Sequence, residues 1–162
     1  MPIPSQIAGA AHNFQFNTGL FNKSIDGLTN EEWLRRPNDK SNHLMWIFGH
    51  VIWARGVMLK FLESEYSKPW FPLFARGAKL DESAQYPTPE EAKAAWEEIT
   101  ARLTAAMESV SEEVLSKPSP QGIPSPNGKV SGVAGFLAHH ETYHLGQTAY
   151  LRSWLGHGGI VG

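Results

Sequence analysis

The stretch from His43 to about Glu63 constrains the fold most, because its apolar residues recur at helical spacing. They come at steps of three or four residues: Leu44, Ile47, Val51, Ala54, Met58 and Leu62. Such a row forms a stripe along one side of an α-helix. The stretch therefore predicts a long helix that buries this side against other elements.

Three further stretches predict long helices. Residues 5–27 and 131–155 carry apolar residues at broadly helical spacing. The third begins at Thr88, which is followed by Pro and then by Glu91, a capping-box pattern. This helix is expected to run to about Ser109.

Shorter elements and connections complete the pattern. Thr29 with Glu32 predicts a short helix over residues 30–36, and Ser111 opens another short turn. Residues 65–87 and 117–130 contain several Pro and Gly, which predict long connections. Four long helices without a convincing strand predict an all-α fold, a four-helix bundle. The first connection is long enough to cross the bundle, so up-down-up-down order is not required.

Composition excludes several classes of function. The 162 residues suit a single domain spanning 1–162, and the net charge of −2 without a Lys/Arg run argues against nucleic-acid binding. The absence of Cys excludes disulfides, cysteine-zinc sites and catalysis by a cysteine thiol of the chain itself. It is compatible with a cytoplasmic location. We expect no signal peptide and no membrane span, since no apolar run approaches the roughly 20 residues required.

Near the end of the chain, HETYH matches the H-E-x-x-H motif of zinc proteases. Residues four apart lie one above the other on a helix, so His140 and His144 can reach one ion. His139 lies about 100° away from His140 and is a poor partner for His144. Such pairs also occur by chance, so the pair alone does not establish a metal site.

Other metal sites fit this motif poorly. A zinc protease needs a third ligand downstream, but no Asp or Glu follows Glu141. The extended motif requires Gly and His at the positions that Gln147 and Tyr150 occupy. The only downstream histidine left as a possible third ligand is His157, which lies in a Gly-rich tail. A di-iron site would need a second Glu-x-x-His, and the chain has none.

An upstream ligand is more attractive. His50 lies between Ile47 and Val51 in the predicted second long helix, where a polar group needs a partner. Gly49 beside it leaves space for a helix or a ligand to approach closely. His43 lies about two turns earlier and is expected at the rim of the site rather than as a fourth ligand.

With these two pieces, NHLMWIFGHVIWAR (42–55) and HHETYHLGQTAYLR (139–152), the chain resembles the DinB/YfiT-like family of metal-binding four-helix bundles over essentially its whole length. The resemblance implies an up-down-down-up bundle, commonly a homodimer. It also implies that His50, His140 and His144 hold a divalent metal, often zinc or nickel, with water in the open positions.

The resemblance further implies a reaction. Characterised relatives include transferases and isomerases that use low-molecular-weight bacterial thiols such as bacillithiol or mycothiol. We therefore expect a metal-dependent transferase acting with such a thiol on a small-molecule substrate. The alternatives are a metal-dependent hydrolase, a non-catalytic metal- or ligand-binding dimer, and a structural bundle with satisfied core histidines. A bis-histidine haem bundle is more distant.

Several neighbouring residues have open roles. Glu141 is a candidate base or outer partner of the metal ligands, or it pairs with an arginine. Arg55 holds a substrate carboxylate or is solvated. Tyr143 and Gln147 orient a ligand or lie in an interface. The aromatic residues are candidates for core or pocket walls: Trp46, Trp53, Trp70, Phe71 and Phe74. No role is assigned to His12, His139 or His157.

Overall fold

The computed structural model describes residues 2–161, and they form an all-helical fold. Its α-helices are α1 (Ala8–Ile25), α2 (Leu44–Phe61), α3 (Pro89–Ser109), α4 (Glu112–Ser116) and α5 (Val130–Trp154). Short 3-10 turns span Ser5–Ile7, Glu32–Leu34 and Phe71–Phe74. Within the described residues no strand forms, apart from an isolated bridge between Pro118 and Lys129. The all-α prediction is confirmed.

Side-chain caps mark the starts of α2, α3 and α4. At α3 the Thr88 hydroxyl accepts from the Glu91 amide, and the Glu91 carboxylate accepts from the Thr88 amide. The predicted helix over residues 30–36 is only a single 3-10 turn, although its Thr29 box forms. A different residue caps α2: His43 Nδ1 accepts from the Trp46 amide at 3.0 Å. The expected rim position of His43 is wrong, since its side chain is buried.

Contacts along α2 and α3 show that these two helices run in parallel. Early in both helices the rings of Phe48 and Trp96 pack with centroids 5.2 Å apart. Later in both, Arg55 Nη1 donates to Thr100 Oγ1 at 2.7 Å. The long connection between them therefore carries the chain back along the bundle before α3 begins.

Helices α1 and α5 are also parallel to each other. Asn17 Nδ2 in α1 donates to Thr142 Oγ1 in α5 at 3.0 Å. Further along both helices, Arg152 Nη1 donates at 2.6 Å to the carbonyl of Asp26, which follows α1. The contacts thus follow the same order along α1 and α5, as they do in parallel helices.

Helices α1 and α2 run in opposite directions. Phe21, late in α1, packs on Phe48, early in α2, with ring centroids 6.0 Å apart. Phe14, early in α1, accepts through its carbonyl from Arg55, late in α2. Together with the two parallel pairs, this confirms the up-down-down-up order of the four long helices.

Helix α2 forms the centre of the core. Its 18 residues have a mean hydropathy of 1.2, which is apolar and long enough for a membrane span by length and composition. However, 78% of the helix is buried against the other helices of the bundle. Its apolar character is therefore that of a core helix, and burial of this surface drives the helices together.

One buried ion pair joins all four long helices. Arg55 and Glu141 are only 1% and 2% exposed. Arg55 Nε and Nη2 donate to the two carboxylate oxygens of Glu141 at 2.7 and 2.8 Å. The guanidinium also donates to three oxygens of α1 and α3: Phe14 O, Thr18 Oγ1 and Thr100 Oγ1. Arg55 is thus neither solvated nor free for a substrate.

We predict that Glu141→Gln destabilises the fold by about 3–5 kcal/mol, because it leaves a buried guanidinium without its counter-charge. Urea unfolding measures the change. The double variant Arg55→Met, Glu141→Leu should lose less than Glu141→Gln alone, since it removes both charges.

The matched control is Glu97→Gln on the exposed side of α3, which should change stability by less than about 0.5 kcal/mol. Equal stability losses for Glu141→Gln and this control would contradict the assigned role of the ion pair.

Candidate metal centre

Helices α2 and α5 bring three histidines together. His50 comes from the middle of α2, and His140 and His144 come from successive turns of α5. One ring nitrogen of each lies within 4.8 Å of the other two. The Nε2 atom of His140 is 3.2 Å from that of His50 and 3.1 Å from that of His144. These are the three residues that the sequence indicated as ligands.

The outer nitrogens of two rings determine their tautomers. His50 Nδ1 lies 2.6 Å from the carbonyl oxygen of Phe74. His144 Nδ1 lies 2.7 Å from Oε1 of Gln147. Because these oxygens can only accept, each Nδ1 carries the proton and each Nε2 presents a lone pair to the cluster. His140 differs, since its buried Nδ1 has no partner among residues 2–161.

The three rings are neutral near pH 7. Burial, together with repulsion from His144 and His50, lowers the pKa of His140 to about 4. Burial also lowers the pKa of His144 to about 4, although its hydrogen bond to Gln147 opposes the shift. The pKa of His50 is lowered by burial against the opposing hydrogen bond to Phe74. Neutral imidazole is the form that binds metal ions.

This arrangement fits a metal ion. At least two lone pairs point into one small volume, and a single proton cannot satisfy all three nitrogens at once. A divalent cation can, and three imidazoles are a known ligand set for zinc that leaves open coordination positions. In the part of the chain that the structure describes, no carboxylate joins these three ligands. The three histidines can therefore hold a metal ion.

Two indoles fix the ring of His50. Trp46, one turn before it on α2, stacks on the imidazole with an interplanar angle of 10° and centroids 5.1 Å apart. Trp53, about one turn after it, stacks at 24° and 5.3 Å. The sequence left both residues as candidates for the core or for pocket walls. Trp46 is indeed buried, but both indoles also orient a candidate ligand.

Gly49 explains how the connection after α2 reaches His50. A Cβ atom at Gly49 would lie 2.5 Å from the ring of Phe74, which is fully buried. The sequence indicated close approach of a helix or ligand at Gly49, and the occupant is this phenylalanine. Its carbonyl is the acceptor for His50, so the missing Cβ allows the contact that orients the ligand.

Glu141, the candidate base, does not join the histidine cluster. It follows His140 directly, but this step rotates it by about 100° around the helix. Both of its oxygens accept from Arg55 in the core. Gln147, whose role was open, accepts from His144. Tyr143 is 62% exposed and lies beside the ring of His144.

The remaining histidines lie elsewhere. His43 caps α2, and His12 and His139 are exposed on α1 and α5. His157 Nε2 lies 2.9 Å from a carboxylate oxygen of Glu32. The structure thus separates four histidines from the three that converge.

A comparison with protein families follows the same helices. The family model of the DinB superfamily matches residues 13–148, which is most of the chain. This protein belongs to the DinB superfamily. The matched region includes α2 and the part of α5 that carries His140 and His144. No curated protein matches the chain.

In this DinB superfamily chain, we predict that Gly49→Ala destabilises the fold by about 1–3 kcal/mol and weakens metal binding. The new methyl group would displace Phe74 and, with it, the acceptor of His50. Urea unfolding and zinc titration measure the two effects.

The matched control is Gly19→Ala in α1, where a Cβ atom meets nothing within 4 Å. Because alanine favours the helix, this change should stabilise the fold by about 0.5–1 kcal/mol and leave zinc affinity unchanged. Similar effects of the two variants on zinc affinity would contradict the role of Gly49.

We also predict that the metal-free protein loses stability as pH falls from about 7 towards 4. The folded-state pKa values of His43, His140 and His144 are about 4, below the reference value of 6.5. Between these values the unfolded chain binds more protons than the folded chain, so acidification favours unfolding. Urea unfolding with a chelator at pH 7, 6 and 5 measures the slope.

As a control, His140→Gln removes one of these buried groups and should flatten that slope. A free energy of unfolding that stays constant from pH 7 to pH 5 would contradict the prediction.

Proposed function

We propose that this protein is a divalent-metal-dependent transferase that acts with a low-molecular-weight thiol. The observation that carries the proposal is the convergence of three neutral imidazoles within 4.8 Å, with no protein carboxylate among them. Zinc or nickel suits this ligand set, and availability in the cell also decides between them. His50, His140 and His144 are the proposed ligands.

The proposed ion would supply charge for activating a nucleophile. Held by the three neutral imidazoles of His50, His140 and His144, such an ion would keep its full positive charge and would favour the deprotonated form of a thiol. The chain has no Cys, so the sulfur must come from a separate molecule. This agrees with the thiol-dependent relatives implied by the sequence resemblance.

Among residues 2–161, no carboxylate joins the histidine cluster to act as a base for hydrolysis. Hydrolysis benefits from a side chain that removes a proton from the attacking water. Glu141 is the nearest carboxylate in sequence, but Arg55 occupies both of its oxygens. A bound metal ion would promote loss of a proton from a water molecule as well as from a thiol. The sequence resemblance to thiol-dependent relatives is what favours the thiol.

The chain's own residues would position the ligands and exclude water. Phe74 and Gln147 hold the outer nitrogens of His50 and His144, which keeps both Nε2 atoms aimed at the cluster. The indoles of Trp46 and Trp53 cover the His50 ring. In the transfer, the thiol loses its proton to solvent and its sulfur bonds to an electrophilic carbon. The leaving group departs with the electron pair of the broken bond.

We predict that the purified chain binds cobalt(II), a coloured substitute for zinc, and that added thiols produce an intense near-ultraviolet sulfur-to-cobalt absorption. His50→Ala and His144→Ala should each abolish cobalt binding, because each removes one of three ligands. Absorption spectroscopy with a panel of low-molecular-weight thiols measures both effects.

The matched control is His139→Ala, which removes an exposed imidazole from the same helix and should leave both signals unchanged. Unchanged cobalt affinity in His50→Ala would contradict the ligand assignment. Cobalt binding without a thiol-dependent band for any thiol would contradict the thiol but not the metal site, and would favour a hydrolase.

A further inference from the structure

A recess of about 160 Å³ lies beside the histidine cluster. His50 and His140 form part of its wall, and the rest comes from α2, α5 and the two long connections. We refer to it as the α2–α5 recess. Because two of the three proposed ligands line it, a molecule in this space would lie beside the proposed metal ligands.

The recess is mostly apolar. Trp53 and Val57 contribute from α2, Phe136 contributes from α5, and Ile123 contributes from the second connection. No acidic side chain lines it. An apolar cavity of about 150 Å³ is large enough to hold benzene. The α2–α5 recess therefore fits an apolar group of about the size of a phenyl ring.

One permanently charged side chain lines the recess. Arg76 belongs to the first long connection, and its guanidinium donates to the carbonyl of Gly122 in the second. No carboxylate among residues 2–161 forms an ion pair with it. Phe74, two residues earlier, is tied to His50, so the chain leading to Arg76 is anchored at the cluster. A guanidinium in this position can bind a carboxylate through two hydrogen bonds.

From these observations we infer that the α2–α5 recess binds a small carboxylate with a phenyl-sized apolar body. The apolar body fills the space between Trp53, Val57 and Phe136, and the carboxylate pairs with Arg76. That this molecule is the electrophilic substrate rests on the proposed function. Binding itself requires only the recess and the guanidinium.

Titration calorimetry with phenylacetate, acetate and benzyl alcohol tests the inference, using both zinc-loaded and metal-free chain. Phenylacetate has both features, whereas acetate lacks the apolar body and benzyl alcohol lacks the charge. We expect phenylacetate to bind the zinc-loaded chain at least about tenfold more tightly than either. The same order in the metal-free chain separates the recess from direct binding to the ion.

Two variants locate the site. Arg76→Gln should weaken phenylacetate binding about tenfold, while Lys79→Gln, an equal charge change at an exposed residue of the same connection, should leave it within about twofold. Ile123→Trp should fill the recess and weaken binding about tenfold. All three substitutions lie in the long connections outside the long helices, and zinc stoichiometry should be unchanged in each variant.

Equal affinities for acetate and phenylacetate would overturn the apolar part of the inference. Unchanged phenylacetate affinity in Arg76→Gln would overturn the anionic part. A chain that binds no zinc but keeps the ligand order would contradict the proposed function and leave this inference supported. A chain that binds zinc but prefers none of the three ligands would contradict this inference and leave the proposed metal site intact.

Discussion

The buried ion pair between Arg55 and Glu141 is the contact on which the arrangement of the helices depends. Removing two charges from water costs several kcal/mol for each, so the pair is tolerated only with nearly ideal geometry and further hydrogen bonds. Both oxygens of Glu141 and three oxygens of α1 and α3 meet this demand. Arg55 follows His50 by five residues, and Glu141 follows His140 directly. The geometry that satisfies the charges therefore also sets how α5 is rotated against α2, and with it where the histidines meet.

The connection between α2 and α3 has an equally direct link to the site. A short 3-10 turn packs on α2 because Gly49 has no side chain, and the carbonyl of Phe74 then orients His50. Arg76 follows at the edge of the neighbouring recess. This loop thus orients one proposed ligand and supplies the charge that we assign to substrate recognition, which is typical of functional loops on a rigid scaffold.

The chemistry of the cluster follows from burial and from the lack of a carboxylate ligand among residues 2–161. Burial keeps the imidazoles neutral, and the hydrogen bonds of their outer nitrogens leave lone pairs that face one another. In a zinc protease with the same H-E-x-x-H motif, the glutamate acts as a base. Here both oxygens of the corresponding Glu141 accept from Arg55 in the core.

The sequence by itself determined the features that depend on local periodicity. These include the four long helices, the capping box of α3, and the spacing that places His140 and His144 on one side of α5. It also indicated His50, because a polar residue in an apolar stripe needs a partner. Only the tertiary structure decided what each side chain contacts: His50 meets Phe74 across 24 residues, and Arg55 meets Glu141 across 86. The physical reason is that helical period depends on neighbours within a turn, whereas the rotation and height of one helix against another depend on packing of the whole core.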